Sequence, residues 1–174
     1  MTLSTHDIAT PAFLRGLRVL SDLLDKAAAA DLDEAALLEA RLAPDMRPFP
    51  DQIRMAAFSA RGCVARLTGQ AWPKTDDNEA SLAELKATVA LSIAFIEGVG
   101  PEAFDGADER PIELKTPAAT LKFRGADYLT SFALPNFYFH LSMAYALLRQ
   151  AGLEIGKRDY LGQLALSEPR VLNA

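Results

Sequence analysis

At 174 residues, 50% hydrophobic and 24% charged, the chain has the make-up of one globular domain, residues 1–174, large enough for a single sizeable core. A net charge of −5 without any run of Lys or Arg excludes a nucleic-acid surface. The lone cysteine, Cys63, excludes an internal disulfide and fits a reducing, cytoplasmic compartment.

The N-terminal stretch MTLSTHDIATPAF has neither a basic region nor an apolar run, so no signal peptide is expected. In the first helix Phe13, Leu14, Leu17, Leu20 and Leu24 recur at helical spacing, with Arg15, Arg18, Asp22 and Asp25 on the other faces. Ser4 and Asp7 read as a capping pair, and Pro11 fits a first turn or a kink in a helix starting near Ser4. DLDEAALLEARLAPD reads as a short connecting helix, and MRPFPDQ breaks the chain. Asp51 is the expected cap of a second long helix, which carries Ile53, Met55, Ala56, Ala60, Val64 and Leu67 and ends at Gly69. Cys63 sits in this apolar row and reads as a buried small side chain rather than a reactive thiol.

AWPKTDDNEA is a loop, with Asp77 or Asn78 capping a third helix. The stripe of that helix is Leu82, Leu85, Val89, Ile93 and Ile96, and it ends at Gly98 or Gly100. The period then drops to two: Ile112–Lys115 and Thr120–Phe123 alternate around a Pro-containing turn, as in a β-hairpin packed on the helices. RGADYL reopens the helix with Asp127 as cap, and the last helix stops at Gly152. The tail GLEIGKRDYLGQLALSEPRVLNA reads mostly as loop.

From Tyr128 to Leu148 the chain carries no formal charge, a length that spans a bilayer. Pro135, Asn136 and His140 in its middle argue against a membrane, so it reads as the most buried helix of a bundle. Its aromatics, Phe132, Phe137, Tyr138, Phe139 and Tyr145, project in several directions. Such a helix is expected to be covered all round, by the hairpin and tail or by a second copy in a homodimer. Together the elements predict an all-α four-helix bundle with a short helix after the first and a small hairpin before the last. The long connections between helices one and two and between three and four need not give a simple meander.

Asn136 and His140 share a helix face. The chain has only two histidines, His6 and His140, so a three-histidine metal site is arithmetically impossible. His140 with Asn136 and a carboxylate, or with His6, is a weak metal candidate, because a neutral amide binds zinc poorly. The favoured reading is an Asn136–His140 hydrogen bond in the core, or a small cavity lined by Asn136, His140, Tyr138 and Trp72. No nucleophile motif, P-loop or dinucleotide fingerprint occurs. GVGPEAFDG reads as a loop, Asp76-Asp77 and Asp108-Glu109 as solvated surface. GKRDYLG reads as a loop pinned by Tyr160 and Leu161, with an anion site as the alternative.

The stretch RGADYLTSFALPNFYFHLSMAYALLRQAGLEIGKRDYLG resembles the signature of the DUF1993 family, uncharacterised bacterial proteins related to the DinB/YfiT-like four-helix-bundle group. DMRPFPDQIRMA, ARLTG, DNEASLAELKATVALSIAFIE and TPAFLRGLRVLSDLLDKA resemble other parts of that family. The resemblance implies a DinB-like bundle with an unusual helix connection, and no established activity. The wider group includes metal-dependent transferases of low-molecular-weight thiols. Their metal is held by one His on the second helix and two, four apart, on the last helix, in the form H-x-x-x-H-R-G-Q followed by L-R-x-x-G. Counting back from Leu148–Gly152 places His140 at the second of these and Asn136 at the first, with Leu141, Ser142 and Met143 after it. The second-helix histidine falls near Ala57 or Phe58. One ligand of three survives.

The expected function is therefore that of a DinB-like bundle without the three-histidine site, binding a small molecule between helices. No catalytic residue is identified and no cofactor is expected. The alternatives are a divalent-metal thiol transferase using His140 and a helical dimerisation module.

Overall fold

The computed structural model describes residues 3–116 and 119–164. In order the chain forms α1 (Thr5–Ala29), α2 (Glu34–Glu39), α3 (Phe49–Thr68), α4 (Leu82–Glu97), a 3-10 turn (Pro101–Phe104), β1 (Pro111–Lys115) and β2 (Thr120–Arg124). Then come α5 (Gly125–Asp127), a π-helical segment (Tyr128–Ala133), α6 (Leu134–Gln150) and α7 (Lys157–Leu161). No described helix is long and apolar enough to cross a membrane.

The four long helices form the bundle. α1 packs on α4 and α6, and α3 packs on the same two, so the ring order is α1–α4–α3–α6. Successive long helices α1 and α3 thus face each other across a diagonal, and so do α4 and α6. Both long connections cross the bundle, which is why the chain is no meander. The first carries α2; the second carries the 3-10 turn and the hairpin.

Local chemistry sets the helix ends. Ser4 caps α1 through a reciprocal pair with Asp7, accepting from the Asp7 amide at 3.1 Å, and Pro11 lies inside the helix. Asp51 does not cap α3. The helix starts two residues earlier, since Pro50 fits a first turn that has no donor to lose, and Asp51 is drawn to Arg54 at 2.7 Å. Ser81, rather than Asp77 or Asn78, caps α4 by accepting from Glu84 N at 3.2 Å. Asp127 lies within α5, where it accepts from Arg124 Nε at 3.0 Å instead of capping. α3 ends at Gly69 with φ 75°.

The hairpin is antiparallel, Ile112 opposite Phe123 and Leu114 opposite Leu121. Ile112 and Leu114 are buried, and the Phe123 ring lies 5.8 Å from that of Tyr128. Gly125 hands the hairpin to the last helix. A Cβ there would lie 1.7 Å from the Ala107 carbonyl oxygen, so only glycine fits.

Among the described residues the tail is mostly loop, as expected, but GKRDYLG within it forms α7 instead of a loop, tied down by Asp159 to Lys26 at 2.5 Å and by Tyr160 to Ser142 at 2.8 Å. Leu161, its other expected pin, is exposed, and residues 165–174 lie outside those described. Contrary to expectation, α6 is not the most buried helix. It buries six of 17 residues, whereas α3 buries 14 of 20. Phe137 is fully buried against Gly16, where a Cβ would meet its ring at 2.4 Å, but Phe139 is 49% exposed.

Candidate functional site

α3 packs against α6, and its Gln52 and Ser59 face that helix. Asn136 and His140 do not bond each other as expected; each finds a partner on α3. Asn136 Nδ2 donates to Ser59 Oγ at 2.6 Å, and His140 Nδ1 lies 2.8 Å from Gln52 Oε1. Gln52 spends its amide nitrogen on the Arg47 carbonyl at 2.9 Å, so its oxygen faces the imidazole and His140 carries its proton on Nδ1. Burial, helped by the Arg47 charge, lowers the His140 pKa and favours the neutral ring.

The remaining candidates separate. Tyr138 faces α1, accepting from Arg15 Nη2 at 2.7 Å. His6 stands edge-on to Phe104 with centroids 5.2 Å apart and lies 3.6 Å from Asp7. Of the positions expected opposite His140, Ala57 is fully buried and Phe58 is turned out at 37% exposure; the side chain that meets His140 is Gln52. Among the described residues no three His, Cys, Asp or Glu side chains cluster as a metal site. One imidazole whose Nδ1 is engaged, two amides and a hydroxyl are a poor donor set for a divalent transition metal, and these residues do not fit the group's ion. Cys63 is buried, and burial pushes its thiol well above the usual range, so it is inert.

Asn136 instead lines a cavity of about 330 Å³ between α3, the π segment and the end of β1. Met55, Phe58, Leu114 and Phe132 supply apolar walls; Ser59, Arg66 and Tyr128 supply polar groups. The π segment sets this wall. The Leu134 amide reaches back five residues to the Leu129 carbonyl, and Thr130 and Ser131 donate their hydroxyls to carbonyls of the preceding turn. Pro135, which lacks an N–H, follows directly and is the sequence signal for the widened turn. Tyr128 stays protonated: burial pushes its pKa up to about 12.

Trp72 does not line the cavity but touches two residues that do. Its ring stands edge-on to Phe58 at 6.1 Å, and the Arg66 guanidinium lies 4.8 Å from its centroid. The loop bearing Trp72 is strapped to α3 by two arginines, two helical turns apart. Arg54 Nε donates to Glu79 Oε2 at 2.6 Å and Nη2 to the Glu79 carbonyl at 2.7 Å. Burial opposes the Glu79 charge, but hydrogen bonds from Thr88 and Arg54 outweigh it and hold the carboxyl below its usual range. Arg61, 2% exposed, donates to Ser92 at 3.0 Å and to Thr75 at 2.7 Å, while its Nε is buried without a partner among the described residues. Sequence reasoning missed Gln52, Ser59, Arg61 and Arg66. Their available signal was polar spacing of seven on α3: Gln52, Ser59 and Arg66 in one row, and Arg54 with Arg61 in another.

This bundle, with its diagonal connections and its hairpin before the last helix, is of the DinB-like class. The crystal structure of a DinB family member from Shewanella denitrificans is similar to it, with a TM-score of 0.84 and 36% identity over 94% of this chain and 95% of that one. The chain belongs to the DUF1993 family, a domain of unknown function whose profile matches residues 5–161. No curated protein matches it.

Proposed function

We propose that the protein binds a small molecule in the cavity between α3, the π segment and β1, and that this binding is its function. The observation that carries the reading is the cavity's make-up: apolar walls around a few convergent polar groups, set against a π-helical turn. That combination characterises ligand pockets, and π turns concentrate at functional sites. A thiol-transferase reading has less support, because Asn136 and His140 are both engaged by α3 side chains.

The test is titration with 8-anilinonaphthalene-1-sulfonate, read by dye fluorescence on folded protein. Saturable one-site binding is expected, and Met55→Trp, which fills the cavity from a half-buried position, is expected to abolish it while leaving the circular dichroism unchanged. Absence of binding, or binding indifferent to Met55→Trp, overturns the reading.

A homodimer is a second proposal, favoured by the half-exposed Phe139 on α6. Light scattering that finds a monomer at high concentration removes it.

A further inference from the structure

The cavity has a charge pattern unlike the rest of the molecule. The chain carries a net charge of −5, yet among the described residues the cavity is lined by Arg66 and Lys115 and by no Asp or Glu. Three exposed arginines pair with carboxylates, Arg18 with Glu97 at 2.7 Å, Arg47 with Asp51 at 3.2 Å and Arg124 with Asp127 at 3.0 Å, while Arg41 and Arg149 spend donors on the carbonyls of Met46 and Ile155. Arg66 has no carboxylate within 4.0 Å among the described residues, and its one hydrogen bond is a long donation to Tyr128 Oη at 3.3 Å.

What holds Arg66 is stacking. Its guanidinium lies 4.8 Å from the Trp72 centroid and 5.8 Å from that of Phe58. Aromatic faces fix the plane of a guanidinium and leave its N–H edge free to donate. Gly62, one turn back on α3, leaves the room this needs, since a Cβ there would lie 2.7 Å from Arg66 Nη1. A planar donor edge, pre-oriented and without an internal anion, matches a carboxylate, which it binds through two parallel hydrogen bonds. Leu114 and Phe132 in the same lining are apolar.

We propose that the ligand is an amphipathic monocarboxylate, its carboxylate on Arg66 and its aliphatic or aryl body against Phe132, Leu114 and Met55. This rests on the cavity reading above and narrows it to one chemical class.

The experiment compares 4-phenylbutyrate with 4-phenylbutanol, the same body without the charge, by isothermal titration calorimetry. The carboxylate is expected to bind at least about tenfold more tightly, the scale of one charge-assisted hydrogen bond. Arg66→Gln is expected to remove that preference and leave the alcohol's affinity unchanged. Arg66→Lys, which keeps the charge but loses the planar fork, should retain only part of it. Thermal melting of both variants checks that the fold persists. Equal binding of the two probes, unmoved by Arg66→Gln, overturns the carboxylate class and leaves the cavity reading standing. Failure of both probes and of the anilinonaphthalene dye overturns the two readings together.

Discussion

α3 and α6 cross in the middle of the molecule, and their sequences suggest the reverse of what each does. α6 reads as apolar on every side, yet one side meets water at Phe139 and only six of its residues are buried. α3 carries Gln52, Arg54, Ser59, Arg61 and Arg66, yet it is the helix most enclosed. Burial is decided by what surrounds a helix. α3 lies between α4 and α6 and under the strapped loop of residues 69–81, and the buried side chains of Gln52, Ser59 and Arg61 each meet a partner from those neighbours, with Arg61 Nε alone of their polar atoms left without one among the described residues. An exposed aromatic needs no such arrangement; much of any protein surface is apolar.

The largest expected effects test the buried side of each helix. Phe137→Ala removes a fully buried ring packed edge-on to Phe13 at 5.2 Å, and should cost about 3–5 kcal/mol by urea denaturation. On α3, Arg61→Ala should cost about 3 kcal/mol, through a cavity and the bonds lost at Ser92 and Thr75. Arg61→Met separates packing from charge. Arg61 has no carboxylate within 4.0 Å among the described residues, and burial depresses its pKa, so an apolar stem of similar length should come within about 1 kcal/mol of the parent. If Met proves as costly as Ala, the hydrogen bonds to the loop outweigh the burden of the charge.

A smaller effect falls where the two helices meet. Gln52→Leu leaves the His140 Nδ1–H without its acceptor and should cost about 1–3 kcal/mol. His140 also gives the pair a pH signature. Its native pKa lies below the ordinary 6.5, so between those two values the unfolded chain binds more protons than the folded one. Its contribution to stability is therefore fully present above about pH 6.5 and is lost as pH falls toward the native value. Melting temperatures of the parent and of His140→Leu, followed from pH 7.5 to pH 5, should converge on acidification. Parallel curves would mean that His140 titrates normally.

Much of the scaffold was legible. The three stripes, the two-stranded hairpin, the Ser4–Asp7 cap and the break at Gly69 rest on local chemistry, which a sequence displays directly. Asn136 was legible as a site residue because an amide inside an apolar run demands a partner. That partner was not, since Ser59 stands 77 residues away and nothing local pairs them. The same limit hid Gln52 opposite His140. Trp72 was expected at a pocket but is not part of the cavity lining, and its contact with Arg66 needed the loop to fold back onto α3. The caps failed where two donors competed: Asp51 and Asp127 sit where a cap is plausible, but an arginine three residues away takes each carboxylate.

The smallest effect is the most direct test of the contrast between the helices. Phe139 sits two residues beyond Phe137 on the same helix, so the pair differs in burial and in little else. Phe139→Ala should change the stability of the isolated chain by no more than about 0.5 kcal/mol, as exposed sites do. A loss approaching that of Phe137→Ala would mean that α6 is enclosed on all sides in solution, either by a second copy on that face or by another part of the chain. The two origins of such a loss differ in one respect. Stability supplied by a partner copy rises with protein concentration, whereas stability supplied within the chain does not. Denaturation of parent and Phe139→Ala at two well-separated concentrations therefore decides whether the exposed aromatic is bare surface or half of an interface.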